Sequence, residues 1–112
     1  MDELQVVNKV AALERLDADE ELYNEVIEVF FEDTPIQLSK LHKAFSDKII
    51  SEVSRISHSL KSAAGNIGAE RLSAASFKAE KNAKTGSFEG LDELIKGIQR
   101  EFDELALFLK RN

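Results

Sequence analysis

The sequence predicts an all-α fold: an up-and-down antiparallel four-helix bundle with a short additional N-terminal helix. Three observations predict it. Proline occurs once and glycine five times in 112 residues. No strand-like alternation bounded by hairpin turns occurs, and apolar residues instead recur three or four positions apart in segment after segment. Short connections between such segments favour antiparallel neighbours. At this length, residues 1–112 are expected to form a single domain with one hydrophobic core.

A first short helix is expected from about Glu3 to Leu16, with Leu4, Val7, Val10 and Leu13 as its apolar line. Asp17 can cap the next helix, with Glu20 three residues on as its capping-box partner. That helix carries Leu22, Val26, Val29, Phe30, Leu38, Leu41 and Phe45 inward. Pro35 lacks an N–H and clashes with the preceding turn. The stripe continues past it, so one long kinked helix is expected. The third helix follows Ser46-Asp47 and runs to about Asn66, burying Ile49, Val53, Ile56, Leu60, Ala64 and Ile67. Gly68 suits the left-handed residue that ends a helix. A fourth spans about Glu70 to Lys84, with Leu72, Ala75, Ala79 and Ala83 inward. After a Thr85-Gly86-Ser87 turn with a capping serine, the last helix runs from about Phe88 to Lys110. Its stripe is Leu91, Leu94, Ile95, Ile98, Phe102, Leu105 and Leu109.

Charge and composition exclude several functions. A net charge of −6 argues against nucleic acid as the main partner, since phosphate backbones need clustered Lys and Arg. The absence of cysteine rules out disulfides and thiolate metal sites. Two histidines without a partner at i+4 make no metal site, and no apolar run can span a bilayer. The N-terminal stretch has no apolar core of a signal peptide, so a cytoplasmic location is expected.

One stretch stands apart. From Val53 to Ala69 there are two bases, Arg55 and Lys61, and no acid, and the segment SHSLKSAAGNIGA is rich in small residues. At about 100° per residue, His58 points roughly 160° away from the inward Leu60 and so faces solvent. Its helical neighbours are Arg55 and Ser54 on one side and Lys61, Ser62 and Gly65 on the other. A neutral imidazole is nucleophilic near physiological pH, and Lys61 could offset the charge of a phosphoryl group placed on it. The small residues would let a partner's active site close over the ring. On spacing alone they equally permit close helix packing, and an exposed histidine can be only a surface residue. His42, flanked by Leu38 and Phe45, reads as such a residue.

The run His58-Ser59-Leu60-Lys61, followed by small residues and then Asn66-Ile67-Gly68-Ala69-Glu70-Arg71-Leu72, resembles the signature of histidine-containing phosphotransfer (HPt) domains. The stretches Leu16–Leu22 and Phe30–Pro35 also resemble the family's second helix, so the likeness covers nearly the whole chain. Ser62 departs from it, standing where the family usually has glycine. The resemblance implies a histidine phosphocarrier of two-component phosphorelays, not a stand-alone enzyme. His58 would accept a phosphoryl group from a receiver domain's aspartate or from a sensor histidine kinase. Lys61 would be its charge partner. No cofactor of its own is implied, with Mg²⁺ carried by the partner receiver. No phosphate-cradling glycine loop is present, in keeping with this. Arg55, Ser62 and Gly65 are expected to shape the docking surface of a monomer. Tyr23, Ile27 and Phe31, expected to be partly exposed, would add its apolar part. Phe77 lies off the inward line of its helix, at the edge of the core or in a docking contact. The alternative is a helical adaptor of the same fold that binds partners without phosphotransfer. A histidine-kinase dimerisation domain is disfavoured because Ser59, not an acid, follows His58.

Overall fold

The computed structural model describes residues 3–109. They form five helices and no strand: α1 (Lys9–Arg15), α2 (Glu20–Ser46), α3 (Ile50–Asn66), α4 (Glu70–Lys84) and α5 (Leu91–Phe108). Helix α2 packs on α3, α3 on α4, α4 on α5, and α5 returns to α2, which closes an up-and-down four-helix bundle. Helix α1 touches α2 as the additional element. Among the described residues no helix is long and apolar enough to cross a membrane.

Helix α3 has the expected face, and α4 buries Leu72, Ala79 and Ala83 as expected, but Ala75 is half-buried and Ser76 and Glu80 join the inward side. Val53, Ile56, Leu60 and Ala64 of α3 are buried against Leu72, Ala79 and Ala83 of α4. Ile49 precedes α3 and is exposed, because Lys48 takes a left-handed conformation (φ 60°) and turns the chain before the helix begins. Gly68 does end the α3 segment with φ 78°, and a Cβ there would lie 2.3 Å from the Asn8 carbonyl oxygen. Only glycine fits that approach.

The same approach explains why the N-terminal helix is shorter than its periodicity implies. Gln5 to Asn8 do not join α1 because their backbone is bonded to the α3–α4 turn. Asn8 N–H donates to the Gly68 carbonyl (2.6 Å), and Arg71 N–H donates to that of Gln5 (3.1 Å). Glu70 receives the Gln5 N–H and the Asn8 amide, each at 3.0 Å, and these bonds hold its carboxyl below the usual carboxylate range. Leu4 and Val10 are consequently exposed, and Ala12 is the buried residue of α1.

Helix α2 is capped by Asp19, whose side chain accepts the Leu22 N–H (3.0 Å). Asp17 cannot serve, since it and Ala18 are left-handed, with φ 54° and 59°. The helix runs unbroken through Pro35 and buries Tyr23, Ile27, Phe30, Thr34, Leu38, Leu41 and Ala44. That face is rotated from the expected one: Leu22 and Val29 are exposed. Tyr23 can be buried because its hydroxyl donates to the Ile67 carbonyl at 3.0 Å. Phe31 is half-buried, its ring edge-to-face with Phe30 and tilted against Phe102. Helix α5 starts later than expected because the Ser87 hydroxyl accepts from Glu89 N–H within the turn, and left-handed Gly90 precedes the first helical residue. Its expected end at Lys110 lies outside the described residues.

Candidate functional site

Helix α3 turns Ile56, Ser57 and Leu60 into the bundle and leaves the His58 side chain 57% exposed. The ring does not stand alone. Helix α4 places Glu80 beneath it, one turn after the buried Ser76, with a side chain only 2% exposed. Glu80 Oε2 lies 2.7 Å from His58 Nδ1 and 3.1 Å from Lys84 Nζ, and Oε1 lies 3.0 Å from Lys61 Nζ. One buried carboxylate thus collects three cationic or potentially cationic groups from two helices.

Burial pushes the Glu80 carboxyl up, but Lys61, Lys84 and His58 together outweigh it and hold the group down at about 2. Glu80 is therefore an ionised acceptor with no proton to donate, and the hydrogen in its bond to His58 belongs to Nδ1. In the neutral ring the lone pair then resides on Nε2, the other nitrogen.

Around this centre, Arg55 is exposed and turned to Glu52, bonded through Nη2 at 2.7 Å and Nε at 3.2 Å, so a neighbouring acid offsets its charge. The Arg55 pair is exposed, and such pairs contribute little to stability. Ser62 is exposed on the same ridge. Gly65 is half-buried, and its carbonyl accepts from Arg15. A Cβ on Gly65 would meet Ser73 Oγ of α4 at an ordinary 3.7 Å, so its smallness faces the α3–α4 seam. Phe77 is exposed, with Lys61 Nζ 4.9 Å and Lys81 Nζ 5.2 Å from its ring centre. Lys61 thereby rests between a carboxylate and an aromatic face. His42 is exposed and bonded to Gln99 at 3.1 Å, remote in sequence and setting from this cluster.

Tyr23 and Ile27 are core residues and Phe31 packs on two phenylalanines, so these three do not make an exposed apolar patch. Their helix presents apolar surface one step round. Leu22, Val26 and Val29 line a shallow groove against Ala63 of α3 and Ile67 just after it, edged by Glu25 and Asp33.

Sequence reasoning missed Glu80 and Lys84 at the histidine. Their i,i+4 pairing reads as one more solvated charge pair on a helix surface. The signal lay in the inward line of α4: Leu72, Ser76, Ala79 and Ala83 bracket Glu80, which puts an acid at the edge of the core.

The crystal structure of histidine-containing phosphotransfer protein B (HptB) from Pseudomonas aeruginosa PAO1 is similar to this fold, with a TM-score of 0.86. The match covers 96% of this chain and 94% of that one at 22% sequence identity. No curated protein matches the sequence. The Hpt domain model does match it, over residues 25–107, which include α3, α4, most of α2 and all but the last residue of α5. The chain therefore belongs to the Hpt domain family, the phosphotransfer carriers of phosphorelays.

Proposed function

We propose that His58 is the phosphoacceptor of this carrier and that Nε2 is the attacking atom. The phosphoryl group comes from an aspartyl phosphate on a receiver domain, or from a sensor histidine kinase, and passes to another receiver. The observation that carries this reading is the exposed imidazole anchored through Nδ1 to a buried, ionised Glu80. That bond selects the tautomer with its lone pair on Nε2 and limits rotation of the ring. Both are requirements of an oriented nucleophile.

In the forward step the Nε2 lone pair forms a bond to phosphorus as the bond from phosphorus to the receiver's carboxylate oxygen breaks. Lys61 and Lys84 offset the charge that arrives. Mg²⁺ and most of the stabilisation of the transferring group belong to the partner's site, as phosphoryl transfer requires. Arg55 and Ser62, exposed on the same ridge, form part of the surface that the partner covers.

The test is incubation with a receiver domain carrying labelled aspartyl phosphate, using wild type, His58→Gln and His42→Gln. An acid-labile, alkali-stable label is expected on wild type and His42→Gln and absent from His58→Gln. Label that survives His58→Gln overturns the assignment. If no receiver or kinase labels any form, the helical adaptor replaces it.

A further inference from the structure

The bond from His58 Nδ1 to Glu80 bears on what happens after the phosphoryl group has been received, and the argument rests on the reading of His58 given above. Attack by Nε2 on phosphorus leaves the proton on Nδ1, so the immediate product is a cationic phosphoimidazolium. Its fate depends on that proton. If Nδ1 keeps it, an acceptor oxygen attacks phosphorus, the Nε2–P bond breaks, and the bonding pair returns to Nε2 of a neutral ring. If Nδ1 has lost it, the same cleavage expels an imidazolate anion, a far poorer leaving group, and the phosphoryl group persists.

We infer that Glu80 holds the proton on Nδ1 of phosphorylated His58, so that this carrier keeps its phosphoryl group in the labile, transfer-ready form. The contact is short at 2.7 Å, and its acceptor is a carboxylate with a side chain 2% exposed. A charge-assisted bond of this kind is roughly twice as strong as one to a neutral amide.

Besides Glu80, three charged side chains lie near the ring. From α3 these are Lys61, on Glu80 Oε1, and Arg55, which is paired with Glu52. From α4 it is Lys84, on Glu80 Oε2. In the resting carrier both lysines share the charge of Glu80 with the imidazole. A phosphoryl dianion on Nε2 gives those flexible side chains a second anion to turn to. Lys84, 64% exposed, is the freer of the two. Each lysine that turns away leaves more of the Glu80 charge to Nδ1–H, so arrival of the phosphoryl group tightens the bond that keeps it labile.

The experiment uses phosphoramidate, which phosphorylates histidine without a partner protein, releasing ammonia as the new N–P bond forms. The full chain is phosphorylated, freed of reagent, and its phosphohistidine lifetime followed from about pH 6 to about pH 9, the range spanning ordinary imidazole titration. Wild type is expected to lose its phosphoryl group at a rate that holds up across the range. Glu80→Gln is expected to slow as pH rises and to persist about tenfold longer near pH 8, one unit of displaced titration being a factor of ten. Glu80→Asp, which restores a carboxylate, should recover part of the lability. ¹⁵N NMR of the phosphorylated wild type gives an independent readout, with Nδ1 still protonated near pH 8.

Identical pH profiles for wild type and Glu80→Gln overturn the inference, as does an unprotonated Nδ1 in the wild-type phosphoprotein. Failure of the His58 reading looks different. Receiver domains would then leave His58 unlabelled, while phosphoramidate-treated protein would still report the effect of Glu80 on the ring.

Discussion

Replacing Glu80 with glutamine removes one negative charge and almost no volume from beneath His58, which makes it a clean probe of what the buried carboxylate contributes to the fold. The folded-state value near 2, set against the ordinary 4.5, caps that contribution at roughly 3–4 kcal/mol at about 1.4 kcal/mol per pH unit. The realised figure is smaller because two of the three partners, His58 and Lys84, are more than half exposed and water screens them. About 1–2 kcal/mol near pH 7 is expected. The sign follows from the depressed value: the stabilisation is fully present above about 4.5 and is lost as pH falls from there to about 2. Urea denaturation of wild type and Glu80→Gln, repeated from near neutral to near pH 2, measures the gap directly. The gap should be widest near neutral and close across that acid window. A gap that is independent of pH, or a variant more stable than wild type near neutral, would refute the electrostatic account of Glu80.

Other substitutions probe the frame around the site. Gly68→Ala should destabilise by about 2 kcal/mol or more, because φ is 78° and the new Cβ would collide with the Asn8 carbonyl; thermal unfolding reads the loss. Gly97→Ala, with nothing within 4 Å of the added carbon, should instead stabilise by up to about 1 kcal/mol of helix propensity, read as a raised melting temperature. Tyr23→Phe removes the bond to the Ile67 carbonyl and should cost about 1 kcal/mol in chemical denaturation. Lys61→Ala should slow phosphotransfer from a receiver by about tenfold while leaving the fold intact, since Lys84 still neutralises Glu80; single-turnover transfer assays distinguish the two effects.

Local patterning carried the helix count, the bounds of α4, the end of α3 and the outward direction of His58. Each depends on periodicity within one helix: Leu60 inward places His58 outward whatever else the chain does. Features set by contacts between distant segments were not legible. Gln5 to Asn8 follow a helical pattern, but the α3–α4 turn claims their backbone instead. Helix α2 carries apolar residues on two adjoining faces, Leu22-Val26-Val29 and Tyr23-Ile27-Phe30. Only the packed bundle decides that the second is buried, with the Ile67 carbonyl waiting for the tyrosine hydroxyl. Glu80 was hidden for the same reason. Its sequence neighbours mark it as a surface acid paired with Lys84, and the rotation of α4 against α3 is what carries it under the imidazole. The Val53–Ala69 segment has no acid of its own, but in the fold its two bases are paired from outside it, Arg55 with Glu52 and Lys61 with Glu80 of α4.

The most direct measurement of the central claim is the position of the phosphorus atom itself. Carrier labelled with ¹⁵N in its histidine rings is phosphorylated by a receiver domain, and nitrogen–phosphorus coupling is recorded by NMR. The account predicts coupling at Nε2 of His58, with Nδ1 of that ring still bonded to hydrogen and His42 unchanged. Coupling at Nδ1 of His58, or at His42, would contradict it.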